Sequence, residues 1–159
     1  MTSHIALRAA RPEESTILTE LARASKAIWD YPPAWLEAWR DDLSFSREYI
    51  GANHVIVAEV GNGLAGVIAV GDGADGPEIG HLWVGPEHQG LGVGKALLAA
   101  GVAAARGNNW DELRIESDPN ARQFYEHLGA VHCGDVPAPV CGIDRTLPLL
   151  RLRIPASGA

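Results

Sequence analysis

A glycine-rich loop, Gln89-Gly-Leu-Gly-Val-Gly94, limits the folds open to this 159-residue chain more than any other segment. The apolar run Leu82-Trp-Val84 before it favours a strand, and Ala96-Leu-Leu98 after it begins an alanine-rich helix. A helix N-terminus offers unpaired backbone N–H groups and a partial positive charge, and glycines let the backbone approach an anion closely. The strand, loop and helix in this order therefore predict a phosphate-binding loop in an α/β structure.

Two common phosphate-binding motifs do not match the residues of this loop. A dinucleotide fingerprint, Gly-x-Gly-x-x-Gly, starting at Gly90 needs glycine at position 95, where Lys95 stands, and the early βαβ context is missing. A P-loop ending in Gly94-Lys95 needs glycine at position 89 and serine or threonine at position 96. The chain has Gln89 and Ala96 there. The loop is therefore expected to bind its anion as part of a motif other than these two.

Charge and composition narrow the class of protein. The net charge is -7, and 47 % of the residues are hydrophobic, as in one ordinary globular domain. Duplex-binding domains normally present a basic face, so nucleic acid is not expected as a partner. The chain shows neither a leader-like N-terminus nor a run near the roughly 18 apolar residues of a membrane span. We expect a single soluble, cytoplasmic domain over residues 1–159 with no membrane partner.

The two cysteines, Cys133 and Cys141, indicate neither a disulfide framework nor a metal site. They do not form a Cys-x-x-Cys pair and have no histidine at zinc spacing. His132 beside Cys133 does not change this, because a metal site needs three or four convergent ligands. Reduced structural thiols and no metal are expected.

The remaining pattern predicts a mixed α/β layer fold. Strands are expected at residues 5–9, 54–60, 64–70, 77–84, 113–116, near 131–133 and at 147–154. Helices are expected from residue 12, near 34–39, at 92–106 and at 119–128. Gly61-Asn-Gly63 joins the second and third strands with hairpin turn chemistry. The predicted order is β-α-α-β-β-β-α-β-α-β-β.

Two segments together resemble the signature motifs of the GNAT superfamily of N-acetyltransferases. Gln89-x-x-Gly92-x-Gly94 resembles motif A, and Asp118-Pro-Asn-Ala-Arg-Gln-Phe-Tyr-Glu-His-Leu-Gly129 resembles motif B. Their order and separation also match. The resemblance implies a GNAT-type fold, in which helices flank a central mixed, mostly antiparallel sheet. Asp118 stands where the family often has asparagine, and as N-caps the two residues are equivalent.

The resemblance implies an acetyl-CoA site. Backbone groups of Leu82, Trp83 and Val84 would pair with the pantetheine arm like an added strand. Asn120 would touch the pantetheine or the acyl region, and Tyr125 would lie beside the thioester sulfur. The amides that would cradle the pyrophosphate are those of Gln89, Gly90, Leu91, Gly92, Val93, Gly94 and Lys95.

Acetyl transfer to an amine needs a neutral nitrogen, and an alkylamine with a pKa near 10.4 is only about 0.1 % neutral at physiological pH. A general base is therefore expected. Glu78 is the first candidate, because it precedes Gln89 by eleven residues, an offset at which some GNAT members carry a glutamate base. Strand alternation places Glu78 on the face of Leu82 and Val84, and burial there would raise its pKa. A surface carboxylate is the alternative, and His81, expected on the opposite face, is the second candidate base.

Tyr125 is the candidate general acid. A phenol with a pKa near 10 stays protonated at neutral pH and can donate its proton to a departing thiolate. Its helical spacing also suits a core tyrosine, and the two roles are compatible. A backbone N–H near Val84 would meet the oxyanion, as the resemblance implies.

Large aromatic residues mark the region that borders the acceptor site in this family. They could stack on a ring or a cation, and core packing is the alternative. The loop at 135–145 is expected to overhang the same site, and its arginine could bind a substrate carboxylate or lie exposed. The candidate acceptor-binding residues are Trp29, Tyr31, Trp35, His81 and Arg145, and Trp39 belongs to the same aromatic group.

The sequence thus predicts an acyl-CoA-dependent N-acetyltransferase that acetylates a primary amine of a small molecule. Direct transfer in a ternary complex is expected, because neither cysteine falls in a motif. Two alternatives stay open. One is a protein N-terminal or lysine acetyltransferase, which needs an open acceptor groove. The other is a non-catalytic coenzyme-A-binding regulatory module. Homodimers are common in the family, although no residue here requires one.

Overall fold

A seven-stranded sheet runs through residues 4–156, the part of the chain that the computed structural model describes. Its strands are β1 (Ile5–Ala9), β2 (His54–Val60), β3 (Gly63–Gly73), β4 (Gly76–Val84), β5 (Glu112–Glu116), β6 (Val131–Pro137) and β7 (Thr146–Arg153). They lie in the order β1-β2-β3-β4-β5-β7-β6. All neighbours are antiparallel except β4 and β5, which run parallel. The predicted mixed, mostly antiparallel sheet is confirmed.

Helices flank this sheet. Within the described residues they are α1 (Ser15–Ala27), α2 (Pro33–Ala38), α3 (Arg47–Ala52), α4 (Val93–Gly107) and α5 (Arg122–His127). The order agrees with the prediction except for α3, a helix that the sequence analysis did not foresee. Ser46 begins it, because its side chain accepts the Tyr49 N–H at 3.0 Å. Six residues are too few for a helical period to show in the sequence.

The two faces of the sheet bury separate hydrophobic clusters. On one face, α4 and α5 pack against the central strands, and the buried residues include Ile68, Val70, Leu97, Leu98 and Tyr125. On the other face, α1 and α3 pack against the same strands, and the buried residues include Leu18, Ala22, Phe45, Ile50, Val57 and Val67. β3 lies between both clusters, which explains why its sequence reads as a continuous apolar run.

A β-bulge at Gly80 interrupts β4. The pairing with β3 passes from Ile79 opposite Val70 directly to His81 opposite Ala69, so Gly80 has no partner. An extra residue bends a strand and shifts its alternation by one. Glycine suits this position, because a Cβ would come within 2.5 Å of a tyrosine hydroxyl on α3.

The bulge places Glu78 on the same face of the sheet as His81 and Trp83. Alternate residues of β3 share one face, and three of them lie across from Glu78, His81 and Trp83. The prediction that Glu78 shares a face with Leu82 and Val84, and that His81 lies opposite, is therefore wrong. It assumed a regular strand, and the bulge reverses the alternation between the two ends of β4.

β4 and β5 separate towards their carboxyl ends. Among the described residues, the two strands share a single register pair, Glu78 opposite Arg114. From Ile79 to Val84, no strand within residues 4–156 pairs with the edge of β4 that faces β5. In α/β sheets, ligands bind outside the carboxyl ends of parallel strands. This gap is where the fold offers room for one.

The cysteines are free and exposed at positions 133 and 141. None of the helices within residues 4–156 is long and apolar enough to cross a bilayer. The same residues include no group of three or more histidine, cysteine, aspartate or glutamate side chains placed to hold a metal ion.

Candidate active site

Two cavities adjoin at the gap between β4 and β5. The glycine-loop cavity, of about 450 Å³, is lined by the loop before α4, by β4 and by the start of α5. The aromatic cavity, of about 470 Å³, is lined by Lys26, Trp39, Arg145 and residues 138–141. Both volumes are typical of small-molecule sites. Five residues line both cavities, so ligands in the two can touch: Gly80, His81, Trp83, Glu116 and Asp118.

The glycine loop presents unpaired N–H groups to its cavity. The Ala96 N–H donates to the Gly92 carbonyl at 3.1 Å, so the N–H groups of residues 93–95 precede the hydrogen-bonded part of α4. Gly90 and Gly92 have φ values of 76° and 82°, which glycine adopts without strain. The cavity thus receives the partial positive charge at the N-terminus of a 15-residue helix.

Six of the seven predicted loop residues line this cavity: Gln89, Gly90, Gly92, Val93, Gly94 and Lys95. Leu91 does not, and it is 51 % exposed. The loop also packs against α5, because a Cβ on Gly94 would lie 3.2 Å from the Phe124 ring. The two motifs found in the sequence are therefore in contact in the structure.

β4 turns the backbone groups of alternate residues towards the gap. The Gly85 N–H donates to a β3 carbonyl at 2.8 Å. This bond determines which residue pairs of the β3–β4 ladder are hydrogen-bonded. Because bonded and non-bonded pairs alternate in an antiparallel ladder, Trp83 pairs with β3, and Leu82 and Val84 direct their backbone groups to the gap. The Val84 carbonyl accepts the Gln89 side-chain amide at 2.8 Å. This leaves the Val84 N–H as a donor beside the cavity.

Tyr125 enters the glycine-loop cavity from α5. Its ring is only 7 % exposed and packs edge-on against Phe124, with 5.3 Å between ring centroids. Burial, reinforced by the Asp118 carboxylate, raises the pKa of Tyr125 above its ordinary value of 10. The hydroxyl is therefore protonated at neutral pH, as a proton donor must be.

His81 is a neutral imidazole on the wall between the cavities. Trp83 Nε1 donates to His81 Nδ1 at 2.9 Å, so the ring proton lies on Nε2. The ring packs against Phe45 and Tyr49, at centroid distances of 4.3 and 5.5 Å. Burial lowers the pKa of His81 to about 4. The lone pair that a general base would use is already engaged by Trp83.

The carboxylates of the site are not arranged as expected. Glu78 lines neither cavity, and burial, with help from Glu116, raises its pKa. Glu116, at the end of β5, lines both cavities, and Arg114 pairs with it at 2.5 Å. Glu116 was not among the site residues predicted from the sequence. A signal was available, because it is the last residue of the strand that runs parallel to β4.

Asp118 is the anion of a largely buried group of charged residues, which we call the Asp118 cluster. Its carboxylate accepts hydrogen bonds from Lys26 Nζ at 2.5 Å and from the Tyr31 hydroxyl at 2.9 Å, and Arg145 Nη2 lies 3.7 Å away. The side chains of Lys26 and Asp118 are each 10 % exposed, and that of Arg145 is 12 % exposed. Within the described part of the chain, two cations thus share one carboxylate.

Aromatic rings surround these two cations. Tyr31, Trp35 and Trp39 pack together, with centroid distances of 4.9 to 5.9 Å. Lys26 Nζ lies 4.5 Å from the centroid of a Trp39 ring, and Arg145 Cζ lies 5.0 Å from it. Three of the rings expected to stack on a ligand, those of Tyr31, Trp35 and Trp39, therefore have the protein's own cations over them. Tyr31 and Trp35 line neither cavity.

Residues 27–143, a range that contains both motifs and most of the residues that line the two cavities, match the family model of the acetyltransferase (GNAT) domain. The chain belongs to the GNAT acetyltransferase family. The predictions of the family, of its fold and of an N-acetyltransferase that uses acetyl-CoA as its donor are thereby confirmed at the level of the family.

Solved GNAT structures share the fold. A GCN5-related N-acetyltransferase from Rhodopseudomonas palustris superposes with a TM-score of 0.79 and 22 % identity, over 96 % of this chain and 98 % of that one. The PaiA N-acetyltransferase of Thermoplasma acidophilum, solved with coenzyme A, has a TM-score of 0.71 and 21 % identity, over 94 % and 99 % of the two chains.

A curated relative matches over a shorter region. The mycothiol acetyltransferase of Thermobispora bispora is 40 % identical over 68 residues. The match covers 40 % of this chain and 23 % of that protein, so the chain spans about a quarter of the length of this relative.

The GNAT site does not gather all the candidate acceptor-binding residues. His81 and Arg145 line the aromatic cavity, whereas Trp29 lines the glycine-loop cavity and is 40 % exposed. The alternative of an exposed Arg145 is wrong. Asn120 lines the glycine-loop cavity as well, and its amide donates to the Tyr31 hydroxyl at 3.1 Å.

The equivalence of aspartate and asparagine at position 118 holds for the N-cap alone. Asp118 Oδ1 accepts the Asn120 N–H at 2.8 Å, which an asparagine oxygen could also do. The contacts to Lys26 and Arg145 need a negative charge. The departure from the family's asparagine therefore accompanies a charged cluster that this chain carries beside the aromatic cavity.

Proposed function

We propose that this GNAT domain transfers the acetyl group of acetyl-CoA to a primary amine of a small molecule, by direct transfer in a ternary complex. The observation that carries the proposal is the shared wall of the two cavities. A donor in the glycine-loop cavity and an amine in the aromatic cavity would meet at Gly80, His81 and Trp83. No covalent carrier is then needed. We further propose that residues 1–159 act as one domain in the cytoplasm, alone or as a homodimer.

The donor half of the proposal uses backbone groups. The N–H groups of residues 89–95 would bind the pyrophosphate, since the N-terminus of α4 attracts anions. The outward-facing N–H and carbonyl of Leu82 would pair with the pantetheine arm, since the Val84 carbonyl already accepts the Gln89 side-chain amide. The Val84 N–H would then donate to the thioester carbonyl oxygen as negative charge develops on it. Tyr125 would donate its hydroxyl proton to the departing sulfur.

The acceptor half needs a base that removes a proton from the amine. We propose that Glu78 fills this role through a water molecule, because burial raises its pKa towards the useful range while it lines neither cavity. Glu116 is the rival, since it reaches both cavities. The variants Glu78→Gln and Glu116→Gln, assayed side by side with an alkylamine, separate the two. Glu112→Gln, at the exposed start of the same strand as Glu116, is the control.

In this comparison, Glu78→Gln should lower kcat/KM for the alkylamine by about 10²-fold, the usual contribution of a general base. It should also remove the acidic limb of the pH–rate profile. A larger loss in Glu116→Gln than in Glu78→Gln would transfer the role to Glu116. A small-molecule amine is preferred over a protein acceptor because residues 138–141 wall the aromatic cavity. Faster turnover of peptides than of any small amine would reverse that preference.

The variant Tyr125→Phe tests the proposed acid. It should lower kcat by about 10²-fold or more, because only the donated proton is lost. Binding of acetyl-CoA, measured by calorimetry, should stay near the wild-type value. The melting temperature of Tyr125→Phe, measured beside that of the wild type, checks that the variant is folded. Unchanged kcat in Tyr125→Phe would remove the proposed acid, and acetyl-CoA binding without turnover of any amine would favour a regulatory module.

A further inference from the structure

The cations of the aromatic cavity point to a carboxylate on the acceptor. We propose that the acceptor is an amine that also carries a carboxylate, as amino acids do, and that Arg145 and Lys26 bind this carboxylate. The inference rests on the proposed acetyltransferase function and names the substrate class for it. Both residues line the aromatic cavity, which adjoins the proposed site of transfer.

The charge balance of the Asp118 cluster is the first argument. Lys26, Arg145 and Asp118 are each nearly enclosed, with side-chain exposures of 10 %, 12 % and 10 %. Their charges sum to one excess positive charge among the described residues. Enclosed cations need a counter-charge, because desolvation is costly. Of the other carboxylates that line the cavity, Glu116 pairs with Arg114 and Asp42 is exposed, so a ligand carboxylate can supply the missing counter-charge of the cluster.

Arg145 also has unused hydrogen-bonding capacity. Its Nη2 donates to the Tyr31 hydroxyl at 2.9 Å and lies 3.7 Å from Asp118. Its Nε and Nη1 groups donate to none of the described residues, and neither is sealed from solvent. Hydrogen bonds from a charged guanidinium to a carboxylate are among the strongest in proteins. Arg145 therefore keeps free N–H donors that a ligand carboxylate can accept from.

The other charges of the cavity favour a ligand that carries one negative charge and an amine. Glu116, on the wall shared with the glycine-loop cavity, and Asp42, which is exposed, are also lining residues. These carboxylates would repel a dianion such as a phosphate ester. They would attract an ammonium group near the site of transfer. The Trp39 ring already has two cations close to it, Lys26 and Arg145.

Matched pairs of acceptors test the inference. Leucine, β-alanine and γ-aminobutyrate are each assayed beside the corresponding primary amide, with release of coenzyme A as the readout. We expect kcat/KM to be about tenfold or more higher for the acids, as expected for a charge-assisted hydrogen bond. The amide of an α-amino acid has the lower amine pKa and so more neutral nitrogen. A preference for the acid cannot come from intrinsic amine reactivity.

The variant Arg145→Gln should abolish this preference. We expect KM for the acids to rise about tenfold while the kinetics of the amides and the KM for acetyl-CoA stay close to wild type. Arg145→Lys, which keeps the charge, should retain part of the preference. Arg151→Gln makes the matched change at an exposed position on β7 that lines neither cavity. The melting temperature of each variant shows that it is folded.

The outcomes separate this inference from the proposed function. Turnover of amides and acids at equal rates, or a preference for phosphoethanolamine over the amino acids, would overturn the carboxylate site and leave the acetyltransferase function standing. If acetyl-CoA binds but no amine is acetylated, the proposed function fails. Calorimetry with the same amino acids in the presence of coenzyme A then decides. Binding that Arg145→Gln abolishes supports the carboxylate site, and no binding overturns it.

Discussion

At the scale of single residues, Asp118 shows how one atom can change the meaning of a motif position. As an N-cap, aspartate does nothing that asparagine could not do. Its charge matters because Lys26 and Arg145 converge on it from positions far away in the chain. From the sequence, Asp118 reads only as the cap of the helix that follows it. Its charge partner Lys26 lies 92 residues away in the chain and becomes its neighbour only on folding.

Replacement of Asp118 by asparagine should therefore destabilise the protein although the N-cap survives. We expect a loss of about 2–3 kcal/mol in the free energy of unfolding, because two nearly buried cations lose their carboxylate. Urea denaturation measures it. The double variant Lys26→Met/Asp118→Asn should lose less than the sum of the single changes. Strict additivity of the two losses would show that the 2.5 Å contact contributes nothing to stability.

The same scale separates the candidate residues that the sequence could identify from those that it could not. Tyr125 was identified because its motif fixes it on a helix beside the glycine loop. Lys26 was missed, since its importance comes from neighbours that only the folded chain brings near, whereas the position of Glu116 at the end of β5 was a signal that went unused. Lys26 reads as an ordinary solvated lysine at the end of α1, and the structure buries it among aromatic rings.

At the scale of elements, the glycine loop and α4 could be predicted because every signal is local: an apolar strand, glycines and an alanine-rich helix. The bulge at Gly80 could not be predicted in this way. A single glycine in a strand can mark a bulge or merely weaken the strand, and the choice depends on the partner strand. The error reversed the assignment of Glu78 and His81 to their faces. The remaining error, α3, is the shortest kind of helix and gave no period.

The N-terminal end of α4 offers a test at this scale. Gly92 has a φ of 82°, so Gly92→Ala should cost about 1–2 kcal/mol of stability. It should also raise the KM for acetyl-CoA, because the strain distorts the loop. Gly107→Ala, at the other end of the same helix, has open space for a Cβ and should be neutral or stabilising. Thermal unfolding and steady-state kinetics measure both effects, and equal effects at the two positions would contradict the role given to the loop.

At the scale of the whole molecule, His81 links stability to pH. Burial lowers its pKa from 6.5 to about 4, so the unfolded chain binds more protons than the folded protein between these values. The stabilisation is fully present above pH 6.5 and is lost as the pH falls towards 4, by at most about 3 kcal/mol.

The variant His81→Gln should flatten this dependence. Urea denaturation at several pH values between 4 and 7 measures it, with His127→Gln as an exposed control that keeps the wild-type slope. An identical slope in His81→Gln and wild type would assign the acid sensitivity to other groups. The effect belongs to the whole fold, because Phe45 and Tyr49 from outside the sheet supply the burial.

The gap between β4 and β5 should make nearby backbone amides exchange their hydrogens faster. The amides of Leu82 and Val84 lack a strand partner on that side, so they should exchange with deuterium faster than those of the neighbouring hairpin β2–β3. Acetyl-CoA should slow the exchange of residues 79–84 and leave the hairpin unchanged. Because the ligand would complete the sheet, the melting temperature should rise with the logarithm of its concentration. In a cell, the lifetime of this protein would then follow the supply of its own substrate.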